Sequence, residues 1–544
     1  MSYTKILLHF FFTTLFLFGI SAGFAQNGVI TGTVIDTRTN EASIGASVFI
    51  EGTNKGAITD LSGNFSIENV PAGTYTVTAS YISYKTISKP NVVVTSGKET
   101  VVDFSITPDD VVLGTVKIVA RVNRESENAL LLEQRQAVVS TQAVGARELS
   151  RKGIGDAQAA VAQVSGVSRQ EGVKNVFVRG LGDRYNTTLL NGFPIPSEDP
   201  EYKNISLDFF GTDIIQNIGV SKVFSASDYS DVGGAVINIS SKELVSDAAL
   251  GIDISAGVNT TIIGTDFLCQ DGSNYFGFAN DKQPVNNQFD FPNKLDPATV
   301  ALPLNHAFGI SGGKMFKIGE KQNPLSFFVV ASHSNDYSFT KETVRSATAE
   351  GLITQEQTGE KYSQTTNQLL LANALYSIND KHSLRYNFML IHANDQYVGE
   401  YSGLNWEINQ EYGQVFLRRQ QTNDNLLMVN QFSSTWRLHE RLNFDAGIAY
   451  NSITGSEPDR RVNYLSMQQS GNYILTGSDR QKRFYSELTG GDFNAKAALT
   501  FKLNDRFNST NSAVKIGYVG HFSGNNFSAL EYSFDAASGT IDMN

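Results

Sequence analysis

From residue 248 onward, apolar and polar side chains alternate with a period of two. In 382–390, Leu384, Tyr386, Phe388 and Leu390 share one face, and Ser383, Arg385 and Asn387 share the other. Residues 442–450 repeat the pattern. In 493–503, Asn494, Lys496, Thr500 and Lys502 stand opposite an apolar set, and 514–518 is a shorter copy. Period two predicts strands with chemically different faces. A soluble sandwich alternates as well, so three further features separate the possibilities. The runs reach the roughly 9–11 residues that cross a bilayer at a tilt. Aromatic side chains such as Trp436 and Tyr450 fall near run ends. Connections alternate between tight (379–381, 439–441) and long (259–303, 336–362, 393–412, 453–483), as in outer-membrane barrels. For the tight turns to stay on one side, 412–438 is predicted to be one extended strand, its polar middle 418–425 standing above the lipid.

Upstream the pattern is shorter and glycine-punctuated. Within 28–106, runs at 29–36, 44–50, 57–67, 75–79 and 100–106 are separated by turns such as 52–56, 60–63 and 70–73. Short alternating runs with a glycine at nearly every turn predict a β-sandwich. Segments 138–149 and 155–164 carry helical spacing instead, with Ile154, Ala157, Ala160, Val161 and Val164 on one face. The fold class expected is mainly β: an N-terminal sandwich, a small α/β element and a partial antiparallel transmembrane barrel over 248–544.

Residues 1–25 combine Lys5, an apolar stretch 6–20 and the small-x-small ending 23–25, which is the form of a secretory signal. A transmembrane anchor would need an apolar run of about 20 residues. The chain has 35 Phe and 21 Tyr against 2 Trp, and 47 Gly among 544 residues, a mixture suited to many strands and turns. Cys269 is the single cysteine, so packing and strand pairing hold the fold without an internal disulfide. The net charge of −11 argues against a nucleic-acid partner, which needs a basic patch. The seven histidines are scattered and no His-x-x-Glu pair occurs. No catalytic, cofactor or metal residue is therefore expected, and the chain is not expected to be an enzyme.

The densest chemical signal lies at 175–194 and 233–242. A strand at 176–178 runs into Arg179-Gly180; Gly182, Asp183 and Arg184 follow; a second strand at 188–190 is cut by Asn191-Gly192, a strong hairpin signal. Gly233-Gly234 opens the run Ala-Val-Ile-Asn-Ile. Together these segments closely resemble the plug domain of TonB-dependent outer-membrane receptors, with Asn191 where that family usually has Asp. The glycine and aspartate spacing of 32–75 is similar to the carboxypeptidase regulatory-like domain that precedes the plug in Bacteroidetes-type receptors. After the signal at 1–25, the resemblance implies a regulatory-like sandwich at 28–106, a linker at 107–123, a plug at 124–244 and barrel strands over 248–544. It also implies placement in the cell outer membrane, in contact with its lipid.

Within the linker, Leu113, Gly114, Thr115, Val116, Lys117, Ile118, Val119 and Ala120 are strand formers without an obvious partner. Such a segment can pair with another protein by β-augmentation. Its position resembles the TonB box, although the usual acidic residue is absent around Gly114-Thr115; the last strand of the sandwich is the other reading. In the family, the arginine equivalent to Arg179 sits at the plug–barrel boundary near barrel carboxylates; a surface arginine beside a turn is the alternative. The acidic loop 197–202 reads as solvated, or as a ligand or metal contact on the outer plug surface. Cys269 reads as an inert residue on a long loop.

The resemblance implies transport: a scarce ligand (iron chelate, cobalamin or glycan) binds the outer loops and plug apex, and periplasmic TonB draws on the linker to move the plug. It also admits a surface lipoprotein as a further partner. A structural or adhesion barrel without active transport is the alternative, and would need no pairing linker. A zinc peptidase would need a catalytic domain. Because barrels around a plugged lumen hold about 22 strands and 248–544 divides into only ~9 or 10, the chain is expected to be C-terminally truncated. The expected form is an open sheet wrapped on the plug, with an unpaired edge near the last strand.

Overall fold

The computed structural model describes residues 27–107, 124–279, 291–503, 512–534 and 540–541, apart from ten single positions within those spans. The expected signal at 1–25 and the candidate TonB box Leu113–Ala120 lie outside the described residues. The chain forms two compact units, Met1–Gln136 and Ala137–Asn544.

In the first unit, Gly28–Asp36 pairs antiparallel with Asn64–Val70 and in parallel with Glu99–Val101 and Phe104–Ile106. A second sheet runs in the order Gly56–Ile58, Ser47–Ile50, Gly73–Ser80, Ile87–Val94. Strict alternation along Gly28–Asp36 buries every second residue, and Ile30, Val34, Val48, Ile50, Phe65, Val77 and Phe104 form one core. At the 60–63 turn the Asp60 carboxylate accepts the amides of Ser62 and Asn64, both at 2.8 Å, while Gly63 takes φ +77°. The Ile87–Val94 strand carries Pro90, a residue that disguises a strand in sequence because it removes a ladder donor.

In the second unit, a five-stranded mixed sheet runs Phe193–Pro194, Thr187–Leu190, Val236–Ser241, Ile215–Ser221, Thr141–Gly145. The predicted helix at 138–149 is corrected here. Its first part is the strand Thr141–Gly145, and only Ala146–Lys152 is helical. Pairing with Ile215–Ser221 outweighs local helical spacing for a segment holding β-branched Thr141 and Val144. The second predicted helix shortens to Ala157–Val161, started by the Asp156 side chain, which accepts the Ala159 amide at 2.8 Å. Its predicted apolar face is buried at Ala157, Ala160, Val161 and Val164.

The rest of the second unit is an 11-stranded sheet, antiparallel throughout. Its long strands are Ala248–Gly257, Asn305–Ile318, Asn323–Ala347, Ile353–Asn379, His382–Asn405, Gln414–His439, Leu442–Met467, Lys482–Lys502 and Ala513–Ser533. Gln414–His439 is the single strand predicted at 412–438. Three of the predicted long loops are not loops. Most of 336–362, 393–412 and 453–483 continues the strands, which reach 27 residues in Ile353–Asn379. Alternation of apolar and polar side chains stops where lipid stops, but ladder hydrogen bonds do not require it, so polar continuations were invisible to the period-two reading.

Phe327 and Val329 are 44% and 43% exposed, whereas Phe328 and Val330 are buried in one cluster with the five-stranded element. The alternation is thus apolar on both faces here: one set meets the inner element and the other forms an exposed apolar band. The sheet is open. Among the described residues, Ala248–Gly257 pairs only with Asn305–Ile318, and Ala513–Ser533 only with Lys482–Lys502. Between the first two long strands, the described parts of 258–304 lie over the face away from the inner element, Phe267 against Tyr337 and Tyr362 and Phe278 against His392. Cys269 belongs there to the short strand Phe267–Cys269, not to a loop, and is half-buried.

Candidate functional site: the plug and its seat

Two tight turns shape the inner element. Arg179 and Gly180 both take positive φ, +51° and +79°, and the amides of Val178 and Leu181 bond each other's carbonyls at 2.9 Å. Asn191 and Gly192 repeat this at +52° and +78°, joining Leu190 to its partner Phe193. Positive φ at both central residues is the type I′ hairpin turn, whose twist matches that of the strands, and it explains why Asn-Gly stands here.

The second turn is seated on the sheet. The Asn191 side chain donates to Gln431 Oε1 at 2.9 Å and to Ser241 Oγ at 3.1 Å, and accepts the Ser241 amide at 3.0 Å. Gln431 Nε2 donates to the Leu190 carbonyl at 2.9 Å, Asn451 Nδ2 to the Pro194 carbonyl at 2.9 Å, and Lys496 Nζ to the Gly192 carbonyl at 3.0 Å. Lys496 also lies over the Phe193 ring, 3.9 Å from its centroid. At Gly447 a Cβ would come within 2.7 Å of that ring, so glycine there lets the hairpin approach the wall. Each of these partners comes from a different part of the sheet, and sequence spacing gave no sign of them.

The predicted motif residues divide. Asp183, after Gly182, begins a short 3-10 turn. Its carboxylate accepts the Lys203 amide at 2.6 Å and the Asn204 side chain at 2.9 Å. Asn204 in turn donates to the Asn186 carbonyl and accepts the Thr188 amide. Asn186 receives the Ala235 amide at 3.0 Å, where Gly234 leaves the room. Asp183 is thereby a structural anchor. Arg184 is exposed. Arg179 is exposed too, and it donates to the Lys222 carbonyl at 3.4 Å. No carboxylate lies within ion-pair distance of it among the described residues, so the expected contact with barrel carboxylates is absent in this arrangement.

A different cation bridges the two layers. Lys174, on the inner element, bonds Asp395 on the strand His382–Asn405, and Asp208 stands 3.9 Å away. Thr365 Oγ1 donates to Asp395 at 2.9 Å. Burial pushes the Asp208 carboxyl up to about 7; Lys174 pulls it down, while Asp395 and Glu198 raise it further. In loop 197–202, residues Pro200, Glu201 and Tyr202 are exposed, whereas Glu198 turns inward. It is half-buried and accepts the Ser206 hydroxyl and, at 3.2 Å, the Ser206 amide. Burial raises its carboxyl above the usual range. Further links are Ser332 to Asp213 and Arg385 to Glu243 at 2.8 Å. Among the described residues no cluster of three or more His, Cys, Asp or Glu could hold a metal.

Known proteins place these parts. Residues 30–118 match the family model of the CarboxypepD_reg-like domain, and 133–236 that of the TonB-dependent Receptor Plug Domain. No curated protein matches the chain. Similar solved structures include the ferric yersiniabactin uptake receptor FyuA from Yersinia pestis, 13% identical over 72% of this chain and 61% of that one, with a TM-score of 0.38. The ferric-catecholate import receptor Fiu from E. coli K12 in its open form is 12% identical over 72% and 67%, at 0.35. The unliganded ferric citrate transporter FecA is 11% identical over 73% and 61%, at 0.32. The chain therefore spans about three fifths to two thirds of the length of these receptors. The chain is an outer-membrane protein with a carboxypeptidase regulatory-like domain, a TonB-dependent receptor plug and an antiparallel barrel-type sheet.

Proposed function

We propose that this protein imports a scarce ligand across the outer membrane by energy-coupled movement of the plug. The observation that carries the reading is how the plug is seated. At the Asn191-Gly192 hairpin it is held by individual hydrogen bonds, one donated by Asn191 to Gln431 and one each from Gln431, Asn451 and Lys496, and elsewhere by isolated polar links such as Lys174 to Asp395, Ser332 to Asp213 and Arg385 to Glu243. Individual bonds of this kind contribute about 0.5–3 kcal/mol each, so they can be broken one after another by a pull at one end.

The pull would be applied through Leu113–Ala120, which supplies a strand to TonB by main-chain pairing. Arg179, Gly180, Gly182, Asp183, Arg184, Asn191 and Gly192 set the plug's turns; Asn191 and Gly192 also meet its seat. The ligand is an iron chelate, cobalamin or a glycan, since choice among these resides in side chains on the outer excursions and not in the fold. The regulatory-like domain adds a periplasmic contact or a signalling step, and a surface lipoprotein is a further partner. The energy-coupled step itself involves no covalent chemistry.

The test is a growth and uptake screen of a deletion strain complemented with the full chain or with the chain lacking residues 112–120. Nutrients whose uptake returns with the full chain alone identify the cargo. Equal recovery by both would exclude coupling through this segment and favour a barrel without active transport.

A further inference from the structure

The plug-facing side of the sheet continues beyond the plug, and one cation on it has no carboxylate within ion-pair distance among the described residues. Asp395 touches plug Lys174, so Tyr397 and Gly399, two and four residues further along the same strand, share its face. Gly399 lies opposite Lys361 on one neighbouring strand and opposite Arg419 on the other. The row Lys361, Gly399, Arg419 therefore crosses three strands, ~13 Å beyond Asp395 at the usual strand rise. In the row beneath it, Tyr397 pairs with Gln421. Its ring carries Lys361 Nζ at 4.7 Å from the centroid and Arg419 Cζ at 5.9 Å.

Two arginines share one carboxylate here: Glu457 faces Arg460 and Arg419 and is bonded only to the first. Arg460 pairs with Glu457 at 3.0 Å, and Lys361 reaches Glu342 only at 4.0 Å. Arg419 has no carboxylate within ion-pair distance among the described residues. Its terminal nitrogen donates to Gln421 Oε1 at 2.8 Å, and its Nε is buried without a partner. Gln421 is itself committed, accepting the Tyr397 hydroxyl at 3.1 Å and donating to Asn423 at 3.1 Å. A half-buried guanidinium whose Nε lacks a partner is unfavourable until an acceptor completes it. Its planar fork matches carboxylate or phosphate oxygens.

We propose that Arg419 and Lys361, set on either side of Gly399 above Tyr397, bind an oxyanion group of the transported ligand. This rests on the reading that the plug-facing wall receives cargo, and it narrows the cargo to molecules bearing carboxylate or phosphate. A neutral glycan fits poorly, because two cations already cover the tyrosine face on which a sugar would stack and nothing in it would neutralise Arg419.

The test is equilibrium binding to the full chain purified in detergent, with inorganic pyrophosphate and tricarballylate as phosphate and carboxylate probes and maltotriose as the neutral one. One of the two anions should bind wild type, and Arg419→Gln should weaken it about ten-fold, the loss expected for one charge-assisted hydrogen bond. Arg419→Lys should recover part of the affinity, and Arg345→Gln, at an exposed ion pair with Glu356, should change nothing. An unchanged heat-dependent electrophoretic shift checks that each variant is folded. Equal anion affinity in Arg419→Gln, or binding of maltotriose and of neither anion, would overturn the proposal. Retained dependence of uptake on residues 112–120 alongside that result would leave the transport reading standing, so the two failures are distinguishable.

Discussion

Asn191 works through both halves of its amide, donating to the wall at Gln431 and accepting from the plug's own Ser241. Asn191→Ala removes both at a position with φ +52° and should lower plug stability by about 1–3 kcal/mol, read as a lower thermal transition of the purified receptor. Asn191→Asp keeps the acceptor and should fall between. Asp208 gives a pH signature. Its carboxyl is pushed up to about 7 in the docked plug, first by burial, from an ordinary value of 3.8, with Lys174, Asp395, Glu198 and Asp156 the charged groups that face it. The docked state binds the extra proton between those values, so stability from this group should rise as pH falls from 7 towards 4 and be absent above 7. Asp208→Asn should flatten that part of the melting temperature–pH curve; an unchanged slope would show that another group titrates there.

The strands show how much could be read at the scale of elements. Period-two alternation located them because one face meets lipid, and the exposed set Phe327, Val329, Ile448, Tyr450, Phe493, Ile516 and Tyr518 is that band. Alternation failed where both faces are polar: Asn335, Gln364, Thr366, Asn394 and Gln396 are buried beneath or beside the 258–304 excursion, so the strands outrun their apolar signal. The plug's turns were legible because Asn-Gly and Arg-Gly need positive φ. Its seat was not, because Gln431, Asn451, Lys496 and Asp395 meet it only through long-range pairing. A charge on the lipid face should be costly: Val329→Arg should reduce folded receptor in the outer membrane, by about 2–4 kcal/mol if the residue sits at mid-bilayer. Ser332→Ala, on the opposite face, should leave assembly nearly intact. Both are checked by heat-dependent electrophoretic mobility of membrane fractions.

At the scale of the whole molecule, the sandwich has its own core and the plug shares a core with the sheet, which makes different demands on each. The sandwich should fold as an isolated 27–107 fragment with a β-type circular dichroism spectrum. Gly32→Ala should destabilise it by about 2–3 kcal/mol in urea, because a Cβ there overlaps the Val102 carbonyl. The plug, by contrast, would on the transport reading stay docked until it is pulled. The central claim is thus that Leu113–Ala120 hands that pull to TonB, and the most direct test is capture of the purified periplasmic domain of TonB by the full receptor. Wild type should retain it, and Val116→Pro, which removes a ladder donor and fixes φ, should lose most of it while the receptor stays folded. Equal capture by Val116→Pro and wild type, or no capture by either, would contradict the account.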